Sequence, residues 1–195
     1  LPIAWFDSAS AVRGLFLDSI ERLPEGASLL LIADYQAGFA EEIHLMAEPV
    51  LREALVTVSE MGIISTQPSG GLLSKRLLSD LPIAREVPIT DYGYYPSPVL
   101  SAYALGDLLA GDQPWSGFPE GLRGNLPAAF DGVLILADSY DSARFWVEQL
   151  NVRLPDVPLY LLVTAQAGPM LAPYLESGQV AGLLAGIVEA DVLAE

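Results

Sequence analysis

The sequence predicts an α/β fold, a mostly parallel sheet held between two layers of helices, and three observations carry that prediction. Ser28-Leu-Leu-Leu-Ile-Ala-Asp34 and Gly132-Val-Leu-Ile-Leu-Ala-Asp138 are apolar runs that both end in Ala-Asp. Pro158-Leu-Tyr-Leu-Leu-Val-Thr164 repeats the shape with Thr at its end. Runs apolar at every position suit strands buried on both faces, as central strands of a parallel sheet are. A helix-patterned segment follows each run, and strand and helix keep alternating along the chain. That alternation is the signature of a doubly wound sheet in three layers. Right-handed crossovers narrow the topology. They favour the Rossmann-like order 3-2-1-4-5-6, in which strands one and four lie side by side.

The chain of 195 residues reads as one domain, 1–195, with 52% hydrophobic residues to build a core. It has no cysteine, so disulfides, thiolate metal sites and cysteine nucleophiles are all excluded. Its net charge is −16, from 25 acidic residues against 9 basic ones. Such a surface repels phosphate backbones and anionic headgroups, which argues against nucleic acid and against direct membrane binding. No segment reaches the ~20 apolar residues of a membrane helix. The start at Leu1 rather than Met, with Leu1-Pro-Ile-Ala-Trp-Phe6 following, suggests either an artificially trimmed chain or a processed product, with a signal or anchor expected upstream.

Taken in order, residues 1–26 form a helix and lead-in: Asp7 to Ser10 supply capping side chains, and Pro24-Glu-Gly26 ends the segment. After the first strand, Ala37-Gly38 makes a turn. The stripe Phe39, Ile43, Met46, Ala47, Val50, Leu51, Ala54, Leu55 and Val58 then predicts a long helix. Pro49 inside it predicts a kink near Leu45 or a restart, and Gly62 a stop. Ile63 to Thr66 reads as the second strand, Leu72 to Leu81 as a brief helix, and Glu86 to Thr90 as a third strand. Ser97-Pro98 opens a helix to about Ala110. Residues 111–130 show no periodicity and read as a long loop or lid. The second organising strand is followed by a helix from about Ser139 to Asn151. After the third apolar run come a helix over Gly168 to Glu176, a last strand over Val180 to Ala185, and a terminal helix near 188–193.

Ligands of open parallel sheets bind beyond the carboxyl ends of the strands, where the strand order reverses. With strands one and four adjacent, Asp34 and Asp138 face one crevice. Tyr35, Ser65, Thr66, Ser139 and Thr164 stand at neighbouring strand ends, and Tyr94 and Tyr95 supply aromatic surface. Two carboxylates so placed either share a proton or hold a divalent cation such as Mg²⁺. The plainer reading makes them structural: Asp138 caps the next helix with Asp141 three residues on, and Asp34 bonds turn amides. Enzyme equipment is sparse, with no G-x-G-x-x-G after the first strand, no G-x-x-x-x-G-K-[ST], no G-x-S-x-G and no H-E-x-x-H. The sole histidine, His44, lies at the edge of a helix stripe, where it reads as a boundary residue.

Leu30-Leu-Ile-Ala-Asp-Tyr-Gln-Ala-Gly38, Ile64-Ser-Thr-Gln-Pro-Ser-Gly70, Tyr92-Gly-Tyr-Tyr-Pro96 and Pro173-Tyr-Leu-Glu-Ser-Gly-Gln-Val-Ala-Gly-Leu183 together resemble an uncharacterised bacterial family. Its members carry one Rossmann-like soluble domain beside predicted membrane helices and have no established activity. The resemblance implies location: an extracytoplasmic domain that reaches the membrane only through a flanking anchor. The expectation is therefore a non-catalytic domain that binds a ligand or a protein partner and needs no cofactor. The alternative is a metal-assisted hydrolase or transferase using Asp34 and Asp138 as cation ligands.

Overall fold

The computed structural model describes residues 16–82, 86–95, 102–103, 105–107 and 130–186. In chain order these form β1 (Ser28–Asp34), α1 (Ala40–Thr57), β2 (Glu60–Ser65), α2 (Gly70–Asp80), β3 (Ile89–Tyr94), β4 (Gly132–Ala137), α3 (Tyr140–Arg153), β5 (Leu159–Val163), α4 (Gly168–Glu176) and β6 (Gly182–Ala185). The strands make one six-stranded sheet in the order β3-β2-β1-β4-β5-β6, with every neighbouring pair parallel. This is the 3-2-1-4-5-6 arrangement that the sequence predicts.

Alternation along β1 divides the core in two. Leu29, Leu31 and Ala33 pack with Ile43, Met46, Val50 and Leu51 of α1 and with Leu77 and Leu78 of α2. Leu30 and Ile32 point the other way, to Trp146, Val147 and Leu150 of α3, Leu171 of α4, and Ala102 and Leu105. Because β1 and β4 are buried at every position, both faces of each contribute. Each fully buried Leu or Ile contributes about 1.5–3 kcal/mol, which is why the two unbroken apolar runs occupy the centre of the sheet.

Several boundaries differ from the sequence reading. Gly62 does not end a helix but lies inside β2, which starts at Glu60. A Cβ there would stand 2.6 Å from the Tyr92 ring and 3.0 Å from Phe130, so glycine serves the close approach of β3. That strand spans Ile89–Tyr94, later than expected. Its exposed, polar residues hide the strand pattern, and its pairing with β2 is irregular between Ile63 and Ile64. The long helix runs through Pro49 without a restart. Proline there deprives the Leu45 carbonyl of a donor, and Leu45 is half exposed, so water can satisfy that group. Residues 16–21 are helical, as are 102–103 and 105–107, inside the two helices expected around them. The expected loop or lid, apart from Phe130, and the terminal helix lie outside the described residues.

Candidate functional site

Register decides what the two strand-end aspartates can do. Asp34 pairs with Ala137, so Asp138 stands one residue beyond it, and side chains alternate in direction along a strand. Asp34 follows Leu30 and Ile32 toward α3 and is fully buried. There its Oδ2 accepts hydrogen bonds from Ser142 Oγ at 2.5 Å and from Trp146 Nε1 at 2.8 Å. The two donors sit one helical turn apart on α3, the spacing that puts them on one face.

Asp138 turns elsewhere. Its Oδ2 accepts from the Gln36 backbone N–H at 2.9 Å, closing the β1–α1 turn over the end of β4. Thr164, just after β5, donates from Oγ1 to the Asp138 carbonyl at 3.0 Å. Asp34 and Asp138 adjoin at neighbouring strand ends, and the one-residue offset gives the Oδ2 of each its own partners. Burial pushes the Asp138 carboxyl above its ordinary value; the Gln36 N–H opposes that shift, and the neighbouring Asp34 adds to it. Asp138 is also not the helix cap. Ser139 is the cap, its Oγ accepting from Ser142 N–H at 3.3 Å.

The remaining predicted residues divide between the two faces. Ser65 Oγ lies 2.6 Å from the Ala33 carbonyl and 2.7 Å from that of Gln67, and accepts from Gln67 N–H at 3.1 Å. Its single hydroxyl proton can serve one of the two carbonyls, and the group as a whole ties the end of β2 to β1. Thr66 is buried beside it, and among the described residues neither its Oγ1 nor Asp34 Oδ1 has a hydrogen-bond partner.

Tyr35 goes to the face opposite Asp34. Its hydroxyl lies 2.9 Å from His44 Nε2 and 3.4 Å from Ser74 Oγ, and Ser74 in turn donates to the Gly70 carbonyl at 2.9 Å. Burial pushes the Tyr35 phenol up to about 12, with Ser74 pulling the other way. Burial also lowers the His44 imidazole below its ordinary value, as does the Arg76 charge, while Asp80 opposes them. His44 is thus a helix-boundary residue with a buried partner. Tyr94 is half exposed, whereas Tyr95 is buried and donates to the Tyr92 carbonyl at 2.7 Å. Burial and Asp91 together raise the Tyr95 phenol to about 12.

Trp146 is the site residue that sequence reasoning missed. Its signal is an indole N–H on the otherwise apolar stripe Ala143, Trp146, Val147 and Leu150; a buried donor needs an acceptor, and the neighbouring strand ends in aspartate. Among the described residues no group of three His, Asp or Glu side chains is placed to hold a metal ion.

No family model matches this chain, and no curated protein matches it in sequence. Among the described residues no helix is long and apolar enough to cross a membrane. Chemically, Asp34 is an acceptor fixed by two donors, and Asp138 is a carboxyl whose ionisation burial disfavours.

Proposed function

We propose that this chain is a non-catalytic domain that binds a ligand or a protein partner at the carboxyl edge of its sheet, within a membrane-anchored, extracytoplasmic bacterial protein. One observation carries the reading: the most deeply buried acid of that edge, Asp34, has its Oδ2 committed to Ser142 and Trp146. A carboxylate so engaged braces α3 against β1. Tyr94, half exposed at the end of β3, offers the aromatic contact area that partner surfaces use. The membrane part of the proposal rests on the family resemblance alone.

The test places a photo-crosslinking amino acid at position 94 or, as a control, at Val152 on α3, in the full-length protein in its own cells. A discrete adduct from position 94 and none from 152 is the expected result. Equal labelling at both positions, or none at either, overturns the edge as the binding surface. An alkaline phosphatase fusion tests the location, for it is active only outside the cytoplasm.

The second reading, a metal-assisted hydrolase or transferase, draws on the unpartnered Asp34 Oδ1 and the adjoining Asp138. A bound cation stabilises the fold by RT ln(1 + [L]/Kd), several degrees of Tm at saturation. A rise with Mg²⁺, Ca²⁺ or Mn²⁺ that disappears in Asp34→Asn/Asp138→Asn supports that reading. An unchanged Tm removes its support.

A further inference from the structure

The β1–α1 connection crosses the place where an open parallel sheet takes its ligands. Strand order reverses between β1 and β4, and ligands of such sheets sit beyond the carboxyl ends there. Here the chain itself spans that gap. The Gln36 N–H, two residues past β1, donates to Asp138 Oδ2, just past β4, at 2.9 Å. Farther along, Glu42 Oε1 accepts from the Ala165 N–H, two residues past β5, at 2.8 Å. Glu42 reaches that strand because α1 lies across β4 and β5. A carboxylate thus fastens each end of residues 36–42 to the far side of the switch point. Asp138 and Thr164, the polar residues directly after β4 and β5, are only 5% and 1% exposed.

We propose that residues 36–42 are a strap, closed over the switch point in this structure and opening as one unit about Tyr35 and Ile43 to uncover Asp138 and Thr164. Burial marks its limits. Tyr35 and Ile43 are fully buried, and no residue between them is. Gln36, Ala37 and Gly38 are exposed, and a Cβ on Gly38 would meet nothing within 4 Å. Phe39 and Ala40, half-buried against the α1 face of the core, are the main apolar cost of opening. Segments with little buried apolar surface and with hydrogen bonds near solvent open locally at less cost than the whole fold. Backbone bonds join the two fastenings: Phe39 N–H donates to the Gln36 carbonyl at 3.0 Å, and Ala40 N–H to that of Ala37. Glu42 follows in the first turn of α1, so release of either end loosens the other. Service as a gate rests on ligand or partner binding at this edge, as proposed above; the opening itself does not.

The test reads amide hydrogen exchange at Gln36 in wild type and in Glu42→Ala, with urea denaturation to follow the whole fold. The variant removes the Ala165 fastening and leaves the Gln36–Asp138 bond itself in place. If the strap moves as a unit, exchange at Gln36 quickens about fivefold, while the urea midpoint of the fold shifts little. The chain has no cysteine, so Thr164→Cys supplies a single thiol beneath the strap. Its reaction with an aromatic disulfide reagent should quicken by the same factor in Glu42→Ala and stay flat in low urea, as a local opening does. Unchanged exchange at Gln36 in Glu42→Ala overturns the inference. Thiol labelling that climbs with urea in step with global unfolding overturns it too. Both readouts are independent of what position 94 captures, so failure of the strap and failure of the binding surface are told apart.

Discussion

The indole Nε1 of Trp146 donates to Oδ2 of Asp34 at 2.8 Å, joining the middle of α3 to the last residue of β1 across 112 positions of sequence. With Ser142 Oγ on the same oxygen, it forms a polar latch inside an otherwise apolar layer. A buried acceptor shared by two donors is costly to remove, because each donor loses its partner where water cannot replace it. Asp34→Ala is therefore expected to destabilise the fold by about 2–5 kcal/mol. Asp34→Asn keeps a neutral acceptor and costs less, about 1–2 kcal/mol. Urea denaturation measures both. With the other two tryptophans, Trp5 and Trp115, replaced by phenylalanine, a red shift of Trp146 emission in Asp34→Ala reports the broken latch directly.

Asp138 gives the latch a titrating neighbour. Its folded-state carboxyl is raised above the ordinary 3.8, so the folded chain holds that proton more tightly than the unfolded chain. The resulting stability is full below 3.8 and is lost as pH rises through the raised value. Asparagine at 138 cannot ionise and still offers an oxygen to Gln36 N–H. The difference in Tm between Asp138→Asn and wild type should move in favour of the variant from pH 3 to pH 7. A difference that stays flat across that range refutes the assignment.

His44 has the opposite sign. Its folded imidazole lies below the ordinary 6.5, so the neutral ring is the form that the fold prefers. Its contribution is intact above 6.5 and declines as pH falls from there through the lowered value. Wild type should lose Tm over that window, and His44→Gln should show a shallower loss. Tyr35→Phe removes the hydroxyl facing Nε2 but leaves the ring's burial, so most of the slope should survive.

Two adjacent glycines at the start of α2 make a steric prediction. A Cβ on Gly70 would stand 2.3 Å from the Ala33 carbonyl oxygen, a backbone atom that cannot step aside. On Gly71 its nearest neighbour would be the Ser65 Cβ at 3.9 Å, an ordinary contact. Gly71→Ala should stabilise by up to about 1 kcal/mol, the helix preference for alanine. Gly70→Ala should destabilise by about 1–3 kcal/mol, because overpacking outweighs that preference. Equal effects of the two would contradict the close approach of α2 to β1.

How much of this was legible beforehand depended on burial. The apolar runs of β1, β4 and β5, and α4 over Gly168–Glu176, stand out because their pattern is the burial itself. β3 did not, because an edge strand with exposed Thr90, Asp91 and Tyr94 carries no two-sided apolar signal. Gly62 misled for a related reason: a glycine after a helical stripe resembles a stop, and only the Tyr92 and Phe130 rings explain its place within a strand.

The sequence by itself determined the class of fold and favoured the strand order that brings Asp34 near Asp138, since continuous hydrophobic runs and crossover handedness leave fewer arrangements; the structure fixed that order. Only the tertiary structure decided what those acids touch. Their partners depend on a one-residue offset between β1 and β4 and on where α3 lies across the sheet. With side chains alternating at every step, one residue of register separates a carboxylate held under Trp146 from one that closes a turn.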